Sequence, residues 1–393
     1  MPTIGWQTPP AADGMAKPLS GVRVLELARI LAGPWCGQLL ADLGAEVIKI
    51  ERPVSGDDTR HWGPPFVISD SGENLGAAYY HSTNRGKRSI AVDIASPAGQ
   101  RLVRELAASA DIVIENYKVG GLKKYGLDHP ALSAPNPRLI TCSITGFGQT
   151  GPYAHRPGYD YIAQALGGLM SMTGEAGRQP QKTGIAVADL FTGVYSAVAI
   201  LAALNRRHET GLGAHIDMAL LDTQVSVMAN QALNWMTSGT VPRRVGNGHA
   251  NLVPYQAFPT SDGDLVIAVG NDGQFTSLCR VLGTGLDNDA RFATNPGRVR
   301  NREVLLAALE ALTATWTRQE LADALEVAGV PAGPINELDD VFANPQVIAR
   351  GMAIARDQRT GVASPIVIDG VRMVSDIAAP GIPETFEEPL TSS

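Results

Sequence analysis

The feature that most constrains this chain of 393 residues is an alternation of short apolar strands with helices. Its first unit predicts a strand over residues 22–27, a helix with Pro34 at its first position and Gly44 at its C-terminal cap, and a strand over residues 47–50. Such a crossover joins neighbouring parallel strands with right-handed geometry. The alternation returns in SIAVDI, in a helix over residues 96–108, in DIVIEN and in RLITCSIT. The sequence therefore predicts an α/β fold with an open, mostly parallel, Rossmann-like sheet and helices on both faces.

Length and changes of pattern predict more than one domain, because a single core stops growing at about 250–300 residues. We expect a flexible N-terminal extension over 1–17, a large α/β domain over 18–225, a smaller α+β domain with linkers over 226–345, and a segment over 346–393 that returns to the large domain. Two long apolar stretches, one after Ala188 and one over residues 214–236, are both predicted to be helices of the core or of an oligomer interface. The alternation of residues 365–375 predicts the returning strand.

Composition and charge exclude several classes of function. The net charge of −7 is spread along the chain without Lys/Arg clusters, which argues against a nucleic-acid partner. Cys36, Cys142 and Cys279 are too few and too far apart for a disulfide framework or a spaced metal site. The first residues show no signal pattern, and the apolar stretch near residues 194–204 is shorter than a bilayer span. We therefore expect a soluble, cytoplasmic protein with no membrane partner and no metal.

Asp189 stands in GIAVADLFTG, at the start of a long apolar helix. The local pattern predicts a helix N-cap, whose carboxylate accepts a backbone N–H. The same position suits a nucleophile, because the positive end of a helix stabilises an ionised carboxylate and lowers its pKa. An ionised carboxylate in a dry pocket can attack a thioester carbonyl, while nearby glycines allow backbone amides to approach the developing oxyanion. The two interpretations are compatible.

Basic and aromatic residues follow the predicted strands. Glu51 and Arg52 end the second strand, where doubly wound sheets bind the sugar or phosphate of an adenosine nucleotide. The first turn has one glycine, so the NAD fingerprint is absent, and no Walker A sequence occurs. Each further cation alone is typical of a solvated surface, but cations that converge on one sheet edge could neutralise several phosphates. These cations are Arg85, Lys87, Arg88, Lys118, Lys123 and Lys124, with Tyr117 and Tyr125 as flat surfaces for an adenine or a pantetheine arm.

A glycine-rich segment, VGNGHANLVPY, carries Gly246, Gly248 and His249. It predicts either a mobile loop that closes over a site or a plain surface turn. The seven histidines show no metal-binding spacing, and no G-x-S-x-G elbow marks a serine hydrolase.

Several separated segments occur in an order that is familiar from one family. They are RVLELARILAGPWCGQLLADLGAEVIKIE, NRGKRSIAVD, ENYKVGGLKKYGL, ITGFGQTGPYAHRPGYDYIAQALGGLM and GIAVADLFTG. From Leu19 to about Ser375 the chain closely resembles the family III CoA-transferases, a group that includes formyl-CoA transferase, carnitine CoA-transferase and α-methylacyl-CoA racemase. RPGYDYIAQALGGLM, VADLFTG and GHANLVPYQAFPTSDG resemble most the branch with succinyl-CoA:glutarate CoA-transferase.

The resemblance implies an interlocked homodimer of ring-shaped subunits, with coenzyme A as substrate and product and no tightly bound cofactor. It implies that Asp189 attacks the acyl-CoA thioester to give an acyl-aspartyl anhydride. The released thiolate then forms an aspartyl-CoA thioester, and the acceptor acid repeats both steps in reverse. By position, the implied CoA contacts are Leu31, Arg52, Arg88, Val92, Asn116, Tyr117, Lys124 and Tyr125, and the implied substrate contacts are Tyr159, Gly246, Gly248 and His249.

Two departures from the family pattern bear on specificity. Leu31 replaces a glutamine of formyl-CoA transferase, which weakens the case for formyl-CoA or oxalate. Tyr159 stands where the racemases carry a histidine, and a phenol with a pKa near 10 is a poor proton shuttle at neutral pH. His155 lies four residues earlier and would need a different loop path.

We therefore expect transfer of CoA between carboxylic acids, with succinyl-CoA or a similar dicarboxyl-CoA as donor. The alternatives are an acyl-CoA racemase and a non-catalytic CoA-binding protein, and Asp189 in its glycine-flanked setting argues against the latter. An NADP-dependent oxidoreductase is excluded by the missing glycine fingerprint. Candidates to bind the far carboxylate of the acid are Arg29, His155, Arg156 and Arg243, without a ranking among them.

Overall fold

The computed structural model describes residues 6, 17–357, 359–381 and 383–385. The predicted extension over residues 1–17 lies, except for its residues 6 and 17, outside the described residues. The chain forms two compact units, of which the first comprises Met1–Leu169, Lys182–Met236 and Pro345–Ser393, and the second Met170–Gln181 and Thr237–Asn344. The second unit thus begins at Thr237, where the sequence predicted residue 226, and it includes a short segment from within the predicted large domain.

The strands are short. In chain order they are β1 (Arg23–Glu26), β2 (Glu46–Glu51), β3 (Phe66–Ile68), β4 (Asn74–Ala77), β5 (Lys87–Ala91), β6 (Ile112–Glu115), β7 (Ile140–Thr145), β8 (Ala214–Ala219), β9 (Tyr255–Thr260), β10 (Gly263–Ala268), β11 (Ala332–Pro334), β12 (Ala353–Arg356), β13 (Arg359–Val362), β14 (Val367–Ile368), β15 (Val371–Arg372) and β16 (Glu384–Thr385).

The helices range from single turns to 24 residues. They are α1 (Ala32–Asp42), α2 (Ala78–His81), α3 (Pro97–Ala108), α4 (His129–Ser133), α5 (Asp160–Leu166), α6 (Leu169–Met172), α7 (Val187–Thr210), α8 (Leu220–Ser226), α9 (Ala229–Ser238), α10 (Asp272–Val281), α11 (Asn295–Arg300), α12 (Arg302–Thr313), α13 (Arg318–Val327), α14 (Leu338–Ala343) and α15 (Pro345–Ala349). Single 3₁₀ turns cover Asp58–His61, Lys123–Tyr125 and Leu286–Asn288.

The first unit is built on a parallel sheet with the strand order β16-β5-β2-β1-β6-β7-β8. Successive residues of its central strands are buried on opposite faces. Val24 packs in one core with α1 and α7, and Leu25 packs in the other with α3. A sheet that is buried on both faces is built largely of apolar residues, which explains the short apolar runs in the sequence. The predicted parallel sheet with helices on both faces is confirmed.

One detail of the first crossover, the position of Pro34, differs from the sequence prediction. Pro34 is the third residue of α1, which begins at Ala32, and not the first. Gly44 follows the helix with φ of +106°, the left-handed conformation that ends helices at glycine. Its N–H donates to the carbonyl of Ala41 at 3.0 Å. The proline is tolerated because the N–H groups of the first helical turn have no partner within the helix.

Two predicted elements of the first unit are wrong. Residues 214–219, expected in a helix, form the edge strand β8, which pairs in parallel with β7. Residues 365–375, expected to supply the returning strand, form the separate hairpin β14–β15. The C-terminal segment instead adds the two residues of β16 to the sheet, beside β5. In β8, exposed and half-buried residues alternate, which is typical of an edge strand.

Helix α7 passes the length and composition test for a membrane span, and it does so alone among the described residues. The sequence prediction that this apolar stretch is too short to span a bilayer is therefore wrong. In this fold α7 packs against α1, α5, α8 and the sheet strands β7 and β8. Its close approach to α1 depends on Gly193, because a Cβ atom there would lie 2.7 Å from the carbonyl oxygen of Ala32.

The second unit contains the antiparallel sheet β11-β10-β9, which packs against α10, α12 and α13. Its apolar core is continuous from the sheet to the helices, through residues such as Phe258, Leu265, Phe275 and Leu309. Arg298 lies fully buried beneath this core. All three nitrogens of its guanidinium donate hydrogen bonds, two to the carbonyls of Val253 and Phe292 and one to the carboxylate of Asp272. These bonds offset the cost of burying the charge.

Candidate active site

The strand order reverses between β1 and β6, since β2 lies on one side of β1 and β6 on the other. Ligands of doubly wound sheets bind outside the carboxyl ends of the strands at such a point. Arg29 follows β1 and Asn116 follows β6. The backbone N–H of Arg29 donates to Asn116 Oδ1 at 2.9 Å, and Asn116 Nδ2 donates to the carbonyl of Arg29 at 2.6 Å. The implied CoA contact Asn116 therefore fixes the turn after β1.

This turn adopts an unfavourable conformation. Ile30 has φ of +73°, which is rare for a β-branched residue and costs on the order of 1–3 kcal/mol. The carboxylate of Asp57 holds it there by accepting the N–H of Ile30 at 3.3 Å on each oxygen. Leu31 then occupies the N-cap position of α1 with its side chain buried. Strain that the surroundings maintain at a strand end is characteristic of functional sites.

Arg52 lies beside this turn, at the end of β2, with its side chain half exposed. Asp58 bridges two arginines, since its Oδ1 lies 2.5 Å from Arg52 Nη2 and its Oδ2 lies 2.6 Å from Arg29 Nη1. The ring of Tyr117 lies below them, with Arg29 Cζ 5.8 Å from the ring centroid. Burial raises the pKa of Tyr117, and the charges of both arginines oppose that increase.

The other implied CoA contacts fall into two groups. Val92 packs in a core against which Tyr117 and Tyr125 also lie, and Lys124 Nζ stands 4.5 Å from the centroid of the Tyr125 ring. The structure brings these four residues to the same edge as Asn116. Arg88 belongs near the beginning of β5, in register with Ile48, and not at the carboxyl end of the strand. Its contact to CoA stays a prediction.

Charged groups buried under this edge fix the segment that carries Arg52 and Asp58. Glu51 accepts two hydrogen bonds from Arg60, at 2.7 and 2.8 Å, and one from the hydroxyl of Tyr80 at 2.8 Å. Burial disfavours the charged form of Glu51, but Arg60, followed by Lys49, lowers its pKa to about 2. The sequence interpretation of Glu51 as a sugar or phosphate ligand therefore gives way to a buried structural anion.

A second buried group lies deeper, between β1, β2 and β5. Glu26 bonds both Lys49, at 3.0 Å, and Lys87, at 2.8 Å, and all three side chains are inaccessible to solvent. Lys49 also reaches Asp57 at 3.0 Å. Burial lowers the pKa of Lys87 to about 8. Lys87, like Arg85, which forms an ion pair with Asp42 at 2.7 Å, is therefore a core residue and not a phosphate ligand.

The predicted nucleophile Asp189 lies at the third position of α7, so the prediction that it is the N-cap is wrong. Ala186 occupies the N-cap position without a side-chain hydrogen bond. Asp160 supplies the missing cap from another element. Its Oδ1 accepts the N–H of Ala188 at 2.8 Å and the N–H of Asp189 at 3.3 Å. The amino end of α7 is thereby satisfied by a carboxylate from α5.

The pKa of Asp189 is raised to about 7, first by burial and then by the negative charge of Asp160. The expectation that the helix end keeps this pKa low is therefore wrong. The positive end of α7 favours the ionised form by at most about 2 kcal/mol, which does not offset partial burial beside a second carboxylate. A carboxyl group whose pKa burial and a second charge raise to near neutrality is a candidate catalytic group.

Tyr79 lies close enough to respond to both carboxylates. Burial, followed by the charges of Asp189 and Asp160, raises the pKa of Tyr79 to about 12. Its phenol is therefore neutral and able to donate a hydrogen bond. The ring of Trp62 packs edge-on against it, at 5.3 Å between centroids. Sequence reasoning missed Tyr79 and Trp62, because neither lies in a segment whose pattern indicates chemistry.

Gln164 organises the approach to Asp189. It is fully buried, donates to Asp160 Oδ2 at 2.7 Å, and accepts the N–H of Thr183 at 3.0 Å on its Oε1. The amide therefore connects the capping carboxylate to the segment that precedes α7. Tyr159, the implied substrate contact, is the exposed N-cap residue of α5 and stands next to Asp160. Sequence reasoning assigned no role to Asp160.

The remaining implied substrate contacts belong to the second unit. Gly246 has φ of +61°, and its N–H donates to the carbonyl of Gly174. His249 accepts hydrogen bonds from three residues. Its Nδ1 accepts the N–H groups of Asn251 and Leu252, and its carbonyl accepts from Arg302 at 2.9 Å. The segment carrying Gly246, Gly248 and His249 is thus tied to its own unit by hydrogen bonds, which favours the turn interpretation over the mobile loop.

Comparison with known proteins places this geometry in context. The sequence profile of CoA-transferase family III matches residues 19–382. A succinate–glutarate CoA-transferase of Agrobacterium fabrum is 55% identical over 95% of this chain and 92% of its own length. Human succinyl-CoA:glutarate CoA-transferase is 44% identical over 90% of this chain and 80% of its own length. A succinyl-CoA:mesaconate CoA-transferase of Haloarcula hispanica is 40% identical over 92% of each chain.

The fold is also similar to solved structures. A CAIB/BAIF family protein of Brucella suis aligns with a TM-score of 0.85 and 55% identity, over 94% of this chain and 97% of that one. Among the described residues, no group of three or more His, Cys, Asp or Glu side chains could hold a metal ion. The family match spans both units, the strained turn after β1 and the carboxylate pair at the amino end of α7. The chain belongs to the family III CoA-transferases.

Proposed function

We propose that this enzyme transfers CoA between dicarboxylic acids, with succinyl-CoA as donor and glutarate or a related acid as acceptor, through covalent intermediates on Asp189. Relatives with the names succinate–glutarate and succinyl-CoA:mesaconate CoA-transferase support the class of acids. The mechanism rests on one observation about the Asp189 carboxyl. It lies at the amino end of α7 beside Asp160, and its pKa is about 7. The racemase alternative is not favoured, because Tyr159 is an exposed phenol and offers no second base.

The proposed chemistry balances without any other reagent. An Asp189 oxygen attacks the thioester carbonyl, the C–S bond breaks, and CoA leaves as its thiolate. The thiolate then attacks the aspartyl carbonyl of the anhydride and releases the donor acid as a carboxylate, which leaves an aspartyl-CoA thioester. The acceptor carboxylate repeats the two displacements in reverse order. Each step exchanges one anionic oxygen or sulfur for another, so no net proton moves.

Three features of the site support these steps. A nucleophile with a pKa near 7 is substantially ionised at neutral pH and more basic than an ordinary aspartate, which raises its reactivity. The neutral phenol of Tyr79 can donate to the oxyanion that forms in each tetrahedral intermediate. The turn after β1, with Arg52, Asn116, Tyr117 and the Lys124–Tyr125 pair, would bind the nucleotide end of CoA at the sheet edge.

Mass spectrometry of the enzyme after incubation with succinyl-CoA tests the mechanism. We expect a CoA-sized adduct on the peptide that contains Asp189, and release of that adduct on addition of glutarate. Asp189→Ala should form no adduct and lose at least about three orders of magnitude in kcat. Equal turnover of Asp189→Ala, or a panel of acyl-CoA thioesters that leaves every peptide unlabelled, would overturn the mechanism. The same assay with a panel of acceptor acids determines the specificity.

We further propose that a second copy of the chain covers the outer face of α7, as in an interlocked homodimer. Phe191, Val194, Tyr195 and Val198 recur with helical spacing and are each 41–57% exposed. An apolar stripe of this kind on a soluble enzyme is typical of an interface between subunits. Sedimentation should give a dimer that resists dilution, and a monomer at micromolar concentration would contradict the proposal.

A further inference from the structure

We infer that Arg29 is a second phosphate-binding residue of the CoA site and that Asp58 positions it beside Arg52. The inference rests on the proposed function and names the chemistry that recognises one end of its substrate. It also assigns Arg29 to the nucleotide end of the site, and so removes it from the candidates for the far carboxylate of the acid.

The first observation is the bridge between the two arginines. One carboxylate, that of Asp58, accepts Arg29 Nη1 at 2.6 Å and Arg52 Nη2 at 2.5 Å. Two guanidinium groups repel each other, so the shared carboxylate is what allows them to stand together. The trio carries a net charge of +1. Its side chains are 32%, 47% and 34% exposed for Arg29, Arg52 and Asp58, so a ligand can reach all three.

The second observation is the rigid support of Arg29. Its backbone N–H and carbonyl both bond the side chain of Asn116, and the next residue is the strained Ile30 that Asp57 holds. A long side chain normally loses rotamer entropy on binding a ligand. The fixed backbone, the Asp58 bond and the Tyr117 ring beneath the guanidinium have already removed much of that freedom. The arginine is therefore preorganised for an anion.

The third observation is a missing partner. Arg29 Nε is buried and has no hydrogen-bond acceptor. A buried N–H donor without an acceptor is destabilising, so a ligand oxygen that reached it would be favoured. Asp58 accepts from Arg29 Nη1 and Arg52 Nη2, and the carbonyl of Gly56 accepts from Arg52 Nε at 3.4 Å. Guanidinium forks match phosphate oxygens in geometry, and CoA offers a diphosphate and a ribose 3′-phosphate.

The test compares three ligands on four proteins. CoA carries both phosphate groups, dephospho-CoA lacks the 3′-phosphate, and pantetheine lacks all phosphates. We would measure Kd by calorimetry, together with kcat and KM for the corresponding succinyl thioesters. The proteins are the wild type, Arg29→Gln, Arg29→Lys and the control Arg291→Gln. The control removes the same charge from another arginine paired with an aspartate, at 2.7 Å from Asp289 in the second unit.

We expect Arg29→Gln to weaken CoA binding tenfold or more, with kcat at saturation and the reaction of the pantetheine thioester unchanged. Arg29→Lys should recover part of the loss, and Arg291→Gln should match the wild type. A loss that disappears with dephospho-CoA assigns Arg29 to the 3′-phosphate, and a loss that persists assigns it to the diphosphate. Unchanged CoA binding by Arg29→Gln, or an equal loss with pantetheine, overturns the inference.

Asp58→Asn tests the positioning role separately. This variant should raise KM for succinyl-CoA severalfold without changing kcat or the pantetheine reaction. In the double variant with Arg29→Gln, Asp58→Asn should raise KM by a smaller factor than it does in the wild type, because the two residues act through one contact. Wild-type affinity of Asp58→Asn for CoA would overturn the role of Asp58. A wild-type enzyme that does not bind CoA would overturn the proposed function and this inference together, whereas wild-type binding with an unaffected Arg29→Gln overturns the inference alone.

Discussion

Asp160 Oδ1 accepts the backbone N–H of Asp189 at 3.3 Å and that of Ala188 at 2.8 Å. The contact has two effects that oppose each other. It completes the first turn of α7, which holds the nucleophile in place, and it sets a second negative charge next to that nucleophile. The same carboxylate therefore orders Asp189 and adds to the increase in its pKa that burial causes first.

The pH dependence of adduct formation should report this pair. The rate at which succinyl-CoA labels the wild type should rise with pH through about 7, because only the ionised Asp189 attacks. In Asp160→Asn the amide oxygen can still accept the two N–H groups, but the charge is gone. The midpoint should therefore move to lower pH, while burial keeps it above the ordinary 3.8. A profile of Asp160→Asn that coincides with the wild type would contradict this account of the pKa.

Asp189→Asn should be inactive but more stable than the wild type at alkaline pH. The folded chain raises the pKa of Asp189 from 3.8 to about 7, so the folded state binds the proton more tightly than the unfolded state does. Ionising this group thus costs stability, fully above pH 7 and not at all below about pH 4. The amide avoids that cost. Thermal unfolding should show a higher Tm for Asp189→Asn at pH 8, with the gain disappearing as the pH approaches 4.

A matched control separates this effect from a general loss of surface charge. Asp287→Asn removes a carboxylate from a 3₁₀ turn of the second unit. It should leave the difference in Tm between pH 8 and pH 4 as in the wild type. If Asp189→Asn also leaves this difference in Tm as in the wild type, the fold does not raise the pKa of Asp189.

The sequence was sufficient to predict the sheet because its signals are local. Strands buried on both faces give short apolar runs, as in β6, and the crossover length then fixes parallel pairing. The edge strands were missed for the same reason. β8 is half-exposed and merges into α8, and β16 has two residues, so neither has a pattern of its own. Their position is decided by the neighbour that they pair with.

In the candidate site, too, the features with a local sequence pattern were predictable and those set by tertiary packing were not. The strand-end position of Arg52 and the helix-start position of Asp189 follow from local pattern, and the resemblance to a family supplied their roles. The cap of Asp189 by Asp160 could not be predicted, because it joins residues 29 positions apart through tertiary packing. The direction of the pKa shift was wrong for the same reason, since a helix end is visible in sequence and burial beside a second carboxylate is not.

Glu51→Gln should lower stability most at neutral pH. The folded state lowers the pKa of Glu51 from 4.5 to about 2, so the charged form contributes stability above pH 4.5 that is lost as the pH falls toward 2. The shift corresponds to roughly 3 kcal/mol for a side chain that is almost fully buried. Urea unfolding at pH 7 should show about that deficit for Glu51→Gln, and the deficit should shrink at pH 3. The exposed Glu73→Gln should match the wild type at both pH values.

The approach of α1 to α7 gives the last prediction. A Cβ atom on Gly193 would lie 2.7 Å from the Ala32 carbonyl oxygen and 2.9 Å from Trp35 Cδ1, so one helix must move. Overpacking of this kind costs about 1–3 kcal/mol, which exceeds the gain of up to about 1 kcal/mol from replacing a helical glycine with alanine.

Gly193→Ala should therefore lower the free energy of unfolding, and it should lower kcat as well because Asp189 lies one turn earlier on the displaced helix. Gly273→Ala is the matched control, since this glycine is helical and exposed and its Cβ would meet only the side chain of Asn271, at 3.3 Å. The control should be neutral or stabilising, with full activity. A Gly193→Ala enzyme as stable and active as the Gly273→Ala enzyme would show that the contact between α1 and α7 does not set the position of the nucleophile.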